Sequence, residues 1–213
     1  MFIAYAEDKI FKDIGTSRQL FIDDDVVASV KNVTRRQHTP RKHPDNPLIK
    51  RDKPWEVTTY FRISCFNVIR DQADGLFKCW YEDYYDYFGW DHSKEMQSNR
   101  VYFARSRDGL NWEKPALGKF AIDGHDTNTV FSYPPYAMAS CNSVLLDPKE
   151  KDPARRFKGV TRGPKQNFYP QYSADGMTFT RDDDSPTGIV YYDDASRPMW
   201  DPQADSWVFY RRH

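Results

Sequence analysis

Short apolar runs with alternating polar positions occur throughout the chain, and polar turns separate them. Clear examples lie at residues 77–81, 101–104 and 168–172. Alternation with a period of two residues, rich in aromatic and β-branched side chains, is typical of buried or half-buried β-strands. No segment has convincing helical periodicity with capping residues. The pattern therefore predicts an all-β protein.

One phrase within this pattern occurs twice. Residues 106–112 and 173–179 share the sequence S-x-D-G-h-x-aromatic, where h is apolar, and Asp108 and Asp175 lie 67 residues apart (175 − 108). Asp-Gly between two strand-like runs is a strong hairpin signal, because Gly accepts a positive φ and Asp tolerates it. We expect both Asp side chains to accept hydrogen bonds from their own turn amides, and we assign them no catalysis.

The residues before this phrase also repeat. Residues 74–81 correspond to residues 153–160, and a third similar opening lies at residues 201–210. Each opening is an apolar run, a polar turn and an aromatic run, so one unit with its Asp-Gly hairpin is a four-stranded meander. Such a meander is the blade of a β-propeller. Asp147 and Asp201 each precede a Pro, and we interpret them as hairpin-turn residues.

The predicted organisation is the N-terminal part of a single β-propeller domain over residues 1–213. Its parts are N-terminal strands and a lead-in at 18–56, blade 1 at 57–113, blade 2 at 142–181 and the start of blade 3 at 197–213. Because a propeller has typically ~4–8 blades, we expect the protein to continue for at least two more blades. Because an apolar strand edge would be exposed, we also expect these 213 residues, expressed alone, to be poorly soluble, to associate or to be inactive.

Three connecting segments complete this picture. Residues 19–27 predict a strand, a turn and a second apolar run, which would close the last blade. Residues 37–47 contain three prolines, which predict an extended segment. Residues 83–99 and 114–140 predict long loops within and after blade 1, and loops of this length are usually functional or disordered.

Composition limits the choice of partners and compartment. Lys plus Arg and Asp plus Glu both number 31, and no charged tail is present, which argues against nucleic acid or a membrane surface as a partner. No signal peptide or apolar span is visible, so a cytoplasmic location is favoured. We expect Cys65, Cys79 and Cys141 to be buried free thiols, because they fall in predicted strands and at no metal spacing.

Five short motifs occur in a distinctive order along the chain. They are Leu-Phe-Ile-Asp-Asp, His-Pro-x-Asn-Pro-Leu-Ile, Lys-Pro-Trp-Glu, Phe-Lys-x-Trp-Tyr and Ser-Arg-Asp-Gly-Leu-x-Trp-Glu-Lys-Pro-x-Leu-Gly. From about residue 18 onward, this order resembles bacterial proteins related to the five-bladed propeller glycosidases of families 32 and 43. The resemblance implies a propeller with five blades and the hydrolysis of glycosidic bonds in its central funnel. It is more specific for the fold than for the reaction.

The resemblance also implies two catalytic carboxyl groups where inner strands begin, one acting as acid and one as base or nucleophile. By position, Glu56 is the candidate base or nucleophile, and Asp193 is the candidate acid. Related sequences have Asp-Thr-x-Asn at the second place, whereas this chain has Asp-Asp-Ala-Ser, so Asp194 could substitute. Glu56 as a surface carboxylate beside Trp55 is the structural alternative.

Five further residues are candidates for binding the saccharide: Arg62, Asn142, Arg197, His38 and Asn128. The first three would point toward the funnel by the same geometry, and each could instead be a structural hydrogen-bonding group. His38 and His43 would line the funnel entrance, but they lack a third ligand at metal spacing, and a role in structural packing is favoured for them. We expect no metal and no cofactor. The alternative function is a non-catalytic carbohydrate- or protein-binding propeller.

Overall fold

The computed structural model of the 213-residue chain describes residues 13–16, 19–56, 66–84, 99–132, 144–162, 168–186, 197–201 and 203–210. The chain divides into two compact units, Met1–Pro44 and Asp45–His213. All of the β-strands in the described part of the chain belong to the second unit. Cys65 and Cys141 lie outside the described residues.

The second unit is built from antiparallel β-sheets. Its strands in chain order are β1 (Phe66–Arg70), β2 (Phe77–Tyr84), β3 (Asn99–Ser106), β4 (Ala121–Ile122), β5 (His125–Asp126), β6 (Thr129–Ser132), β7 (Leu145–Leu146), β8 (Phe157–Arg162), β9 (Phe168–Ser173), β10 (Thr180–Arg181), β11 (Arg197–Asp201) and β12 (Ser206–Tyr210). Two sheets have four strands each: sheet 1, in the order β1-β2-β3-β6, and sheet 2, in the order β7-β8-β9-β10. Strands β4 and β5, and strands β11 and β12, form two-stranded pairs.

The all-β prediction is confirmed for the described residues, whose only helix is a 3₁₀ turn at Pro153–Arg155. No closed ring of sheets is present among these residues.

The repeat seen in the sequence has the same strand register in both sheets. Phe77 lies opposite Ser106 in sheet 1, and Phe157 lies opposite Ser173 in sheet 2. The residue before each serine also has an equivalent partner just after the phrase. Arg105 pairs with Glu113 in the first copy, and Tyr172 pairs with Thr180 in the second. The two phrases are therefore equivalent in three dimensions as well as in sequence.

Both Asp-Gly turns are stabilised in the same way, as expected. Oδ1 of Asp108 accepts hydrogen bonds from the amides two and three residues further along the chain, both at 2.8 Å. Oδ1 of Asp175 accepts the equivalent two bonds at 2.7 and 2.8 Å. The glycine after each has a φ of 77° or 79°, which an L side chain rarely adopts. The turn roles expected for Asp147 and Asp201 are also confirmed, since their carboxylates accept from amides two residues further on.

The fourth strand of sheet 1 comes from a segment that the sequence predicted to be a loop. Strand β6 lies within residues 114–140 and pairs with β3, with a register shift between Val101 and Tyr102. Val130 and Phe131 of β6 are buried, which explains why this short β-branched and aromatic run pairs rather than remaining irregular. The first sheet therefore extends beyond residue 113, the predicted end of blade 1.

The predicted N-terminal strand is absent, because residues 19–27 form turns in the structure. Asp23 accepts a 3.0 Å hydrogen bond from the amide of Asp25, and the amide of Val27 donates to the carbonyl of Asp24. Consecutive aspartates favour such local bonds over an extended strand. The described residues of 18–56 contain no strand, so the prediction of N-terminal strands in this range is wrong for that part of the chain.

Sheet 1 is buried on both faces. On one face Trp80, Val101 and Phe103 form a core with Phe157 and other residues reaching across from sheet 2. On the opposite face Cys79, Tyr81, Tyr102 and Ala104 form a second cluster, covered by residues that include Ile49, Trp55 and Trp112. Burial raises the pKa of Cys79 to about 12, as befits the buried thiol expected from the sequence. Residues 49–56 thus act as a cover over the second face of sheet 1.

Candidate functional site

Two of the seven predicted site residues, Glu56 and Asn128, are buried and lie in one hydrogen-bonded cluster on the second face of sheet 1. Arg62, Asn142 and Asp193 lie outside the described residues, as does Asp194. Arg197 is the first residue of β11. His38 is exposed in the first unit, in a non-regular segment that lines a shallow cavity formed by residues 36–41.

The carboxylate of Glu56 is only 1% exposed and receives hydrogen bonds from four groups. Oε1 accepts from the hydroxyl of Tyr81 at 2.7 Å and from Nζ of Lys114 at 2.6 Å. Oε2 accepts from the amides of Asp52 and Lys53 at 3.0 and 3.1 Å, and from Lys114 at 2.9 Å. A carboxylate has about four lone-pair sites, so these five contacts occupy its accepting capacity.

Lys114 is the positive partner of this carboxylate. Its side chain is 3% exposed, and its ammonium group also donates to Oδ1 of Asp52 at 2.8 Å and to the carbonyl of Lys50 at 2.5 Å. All three N–H donors of the ammonium are therefore used, in hydrogen bonds to Glu56, Asp52 and Lys50. A buried charge needs this degree of compensation, because desolvation otherwise costs several kcal/mol.

Tyr81 connects Glu56 to Asn128. The Tyr81 hydroxyl accepts a 2.8 Å bond from Nδ2 of Asn128, which also donates to the carbonyl of Phe103 at 2.8 Å. Oδ1 of Asn128 accepts from the indole Nε1 of Trp55 at 2.9 Å. Burial raises the pKa of Tyr81 well above its ordinary value, and the adjacent Glu56 carboxylate raises it further. The phenol thus stays protonated and keeps donating to Glu56.

These bonds fix the segment that enters the first predicted inner strand. The carbonyl of Trp55 accepts from the hydroxyl of Tyr102 at 3.1 Å, and the carbonyl of Glu56 accepts from Nε of Arg51 at 2.6 Å. The amide of Glu56 donates to the carbonyl of Lys53, which closes a turn. Residue 57, where blade 1 was predicted to begin, follows directly. The cluster therefore holds the end of this cover segment, up to Glu56, in place.

The cluster places the Glu56–Lys114 ion pair beside the hydroxyl of Tyr81, and these three side chains are buried. A carboxylate in this arrangement anchors backbone, whereas a base or nucleophile must present a free oxygen to its substrate. The structural alternative, in which Glu56 is a surface carboxylate beside Trp55, is wrong, because the carboxylate is buried. Its catalytic role stays a prediction.

Sequence reasoning did not identify Lys114 or Tyr81 as partners of Glu56. Both belong to motifs of the ordered set, Phe-Lys-x-Trp-Tyr and the Glu-Lys-Pro that follows the first Asp-Gly turn. A Lys just past an Asp-Gly hairpin was the available signal. Its partner lies 58 residues earlier, so only the fold brings the two together.

No cluster of three or more His, Cys, Asp or Glu residues suited to a metal ion occurs in the described ranges. Within the same ranges, no helix has the length and apolar character needed to cross a membrane. Comparisons with protein-family models, with curated proteins and with solved structures found no match. The family resemblance of the motifs therefore stays a prediction.

Proposed function

We propose that this chain belongs to a glycoside-hydrolase-like β-propeller protein that takes a saccharide into a funnel where the inner strands begin. Support comes from the two equivalent sheets, because blades with one register and one turn design are the units from which propellers are assembled. Carboxyl groups at the starts of inner strands would flank the scissile bond, with Glu56 as base or nucleophile and Asp193 as acid. The observation that carries the proposal is the anchored position of Glu56 immediately before the predicted inner strand.

The burial of Glu56 favours a second candidate function, saccharide binding without hydrolysis. All of its accepting positions are occupied by protein donors, so a sugar hydroxyl or a water has none to use. In this alternative Glu56 and Lys114 are positioning residues, and the funnel recognises a carbohydrate without cleaving it.

One set of variants separates the two candidates. Purified protein is screened for release of reducing ends from a panel of oligosaccharides, and binding of the same panel is measured on a glycan array. If Glu56 is catalytic, Glu56→Gln abolishes turnover per folded molecule while binding remains. If Glu56 is an anchor, Glu56→Gln and Lys114→Met both lower the melting temperature, and turnover per folded molecule is unchanged.

Failure of the whole panel, with neither binding nor cleavage, would overturn the carbohydrate proposal itself. Asp193→Asn provides an independent arm. It removes the predicted acid and leaves the Glu56 cluster intact, so a loss of turnover in this variant alone would assign catalysis to Asp193 without Glu56.

A further inference from the structure

A cleft of about 440 Å³ opens beside the first Asp-Gly turn. Its walls are formed by Leu76, Arg105, Ser106, Arg107, Asp108, Asn111, Trp112 and Glu113. The volume falls within the range of small-molecule pockets, which is roughly 300–1,000 Å³. It is large enough for one or two sugar rings.

The second Asp-Gly turn shows what fills the corresponding region when two sheets pack together. There Met177 and Phe179 pack into the core between the sheets, and the ring of Phe179 lies 5.0 Å from that of Phe131. At the first turn the residue equivalent to Met177 is Leu110, which is 43% exposed. The two turns have the same backbone design, but the first faces a cleft.

The first turn also satisfies its own polar groups. The carbonyl of Gly176 in the second turn accepts a hydrogen bond from Trp80 of the neighbouring sheet, at 2.7 Å. At the first turn, Nε1 of Trp112 makes the equivalent bond to Gly109, at 3.0 Å, from within the turn itself. The first turn therefore needs no neighbouring sheet to complete its hydrogen bonds, and its surface is left for another occupant.

Most charged groups on the cleft wall are hydrogen-bonded within the protein, and Arg107 is the exception among the described residues. Asp108 accepts from Ser106, from both side-chain and backbone donors of Asn111, and from the amide of Leu110. Glu113 is paired with Nε of Arg105 at 3.0 Å. Arg107 is exposed on the cleft wall, and no partner for its side chain occurs among the described residues.

We propose that this cleft binds a saccharide that carries a carboxylate, such as a uronic acid residue of an acidic polysaccharide. The planar guanidinium of Arg107 suits a carboxylate, which it can bind through two parallel hydrogen bonds. The indole of Trp112 offers an apolar wall to the C–H face of a sugar ring. Asn111 and the Arg105–Glu113 pair supply polar groups for the hydroxyls. The cleft lining includes neither Glu56 nor Asp193, so the proposal does not depend on hydrolysis by those two carboxyl groups.

The repeat supplies a variant that tests the proposal with little risk to folding. Arg107 is equivalent to Ala174 in the second turn, so Arg107→Ala introduces a residue that this turn design already accommodates. The probes are trigalacturonate and the neutral trisaccharide galactotriose, titrated by isothermal calorimetry. Lys151→Ala removes the same charge from an exposed turn outside the cleft and is the matched control.

We expect trigalacturonate to bind the unmodified protein at least about tenfold more tightly than galactotriose, and Arg107→Ala to remove that preference. Lys151→Ala should bind like the unmodified protein. Equal affinity for the two sugars, unchanged binding by Arg107→Ala, or no binding by either probe would each overturn the proposal. A change of oligomeric state in Arg107→Ala by light scattering would also overturn it, since the cleft would then be a protein contact.

Discussion

The indole Nε1 of Trp80 donates a 2.7 Å hydrogen bond to the carbonyl oxygen of Gly176, which lies 96 residues further along the chain. The bond joins the second strand of sheet 1 to the Asp-Gly turn of sheet 2. Nζ of Lys78 donates to the neighbouring carbonyl of Asp175 at 3.3 Å, and the Phe157 ring lies 5.8 Å from the Trp80 ring. The Asp-Gly turn of sheet 2 therefore packs against sheet 1. The second copy of the phrase thus stabilises the contact between the two sheets as well as its own hairpin.

This contact predicts different outcomes for the same substitution in the two turns. A Cβ at Gly176 would lie 2.6 Å from Cζ2 of Trp80, whereas at Gly109 the nearest atoms are those of Phe77 at 3.9 Å. Both glycines have positive φ, so Gly109→Ala should cost about 1–2 kcal/mol from backbone strain alone. Gly176→Ala should cost a further 1–3 kcal/mol or so from overpacking. Urea denaturation of both variants measures the difference, and equal losses would mean that Trp80 moves aside freely.

The pair formed by Lys114 and Glu56 predicts a large loss of stability when either partner is removed alone. Lys114→Met should lower the free energy of unfolding by about 3–5 kcal/mol, because it leaves a buried carboxylate without its cation. The double variant with Glu56→Gln should lose less than the sum of the single losses. Arg105→Met is the control, since Arg105 and Glu113 form an exposed pair worth about 0–1 kcal/mol. A loss from Lys114→Met no larger than that of the control would contradict the structural role.

The sequence was informative about structure where the signal is local. Asp-Gly turns and strands of alternating polarity depend on neighbouring residues. The two four-stranded sheets and their equivalence could therefore be predicted from the phrase at residues 106–112 and 173–179. Strand β6 could not, because four residues in a long connection become a strand only when β3 offers an edge to pair with. Residues 19–27 have apolar positions that suit a strand, yet Leu20, Phe21 and Ile22 stay exposed and the three aspartates form turns.

The candidate site was predicted in part for the same reason. The motif order drew attention to Glu56, and Asn128 was included among the binding candidates. Tyr81, which donates a hydrogen bond to Glu56, lies 25 residues away in the sequence. Lys114, which neutralises its charge, lies 58 residues away. Partners at such distances follow from the packing of residues 49–56 against sheet 1, which no local pattern encodes. The burial of the carboxylate is also a property of that packing.

The buried aspartates of the two sheets predict a loss of stability in acid. Burial alone would raise the pKa of Asp71, but hydrogen bonds from Lys78 and from the amide of Ala73 outweigh it and hold the pKa below the usual 3.8. Asp147 has a lowered pKa for a similar reason, with Lys158 as its partner at 2.7 Å. A lowered pKa in the folded state stabilises the protein above pH 3.8, and this contribution disappears as the pH falls through the folded-state value.

Stability measured by urea denaturation should therefore be level near neutral pH and should fall below about pH 4. Asp71→Asn should be less stable than the unmodified protein at pH 7 and should show a shallower fall in acid. Asp147→Asn, the equivalent change in sheet 2, should behave in the same way. If the stability of both variants falls as steeply in acid as that of the unmodified protein, other groups cause the loss of stability.

The turn between β11 and β12 predicts a difference in stability between glycine and alanine at position 205. Asp205 has a φ of 45°, and the equivalent position in the turn between β1 and β2 is Gly75, with a φ of 73°. Asp205→Gly and Asp205→Ala both remove the exposed ion pair with Lys149, but only glycine adopts a positive φ without strain. Asp205→Gly should therefore be more stable than Asp205→Ala by about 1 kcal/mol, and Gly75→Ala should be destabilising by a similar amount. Thermal and urea unfolding at high salt, where the ion pair is screened, give the comparison. If glycine and alanine at position 205 are equally stable, the third opening does not share the turn of the first.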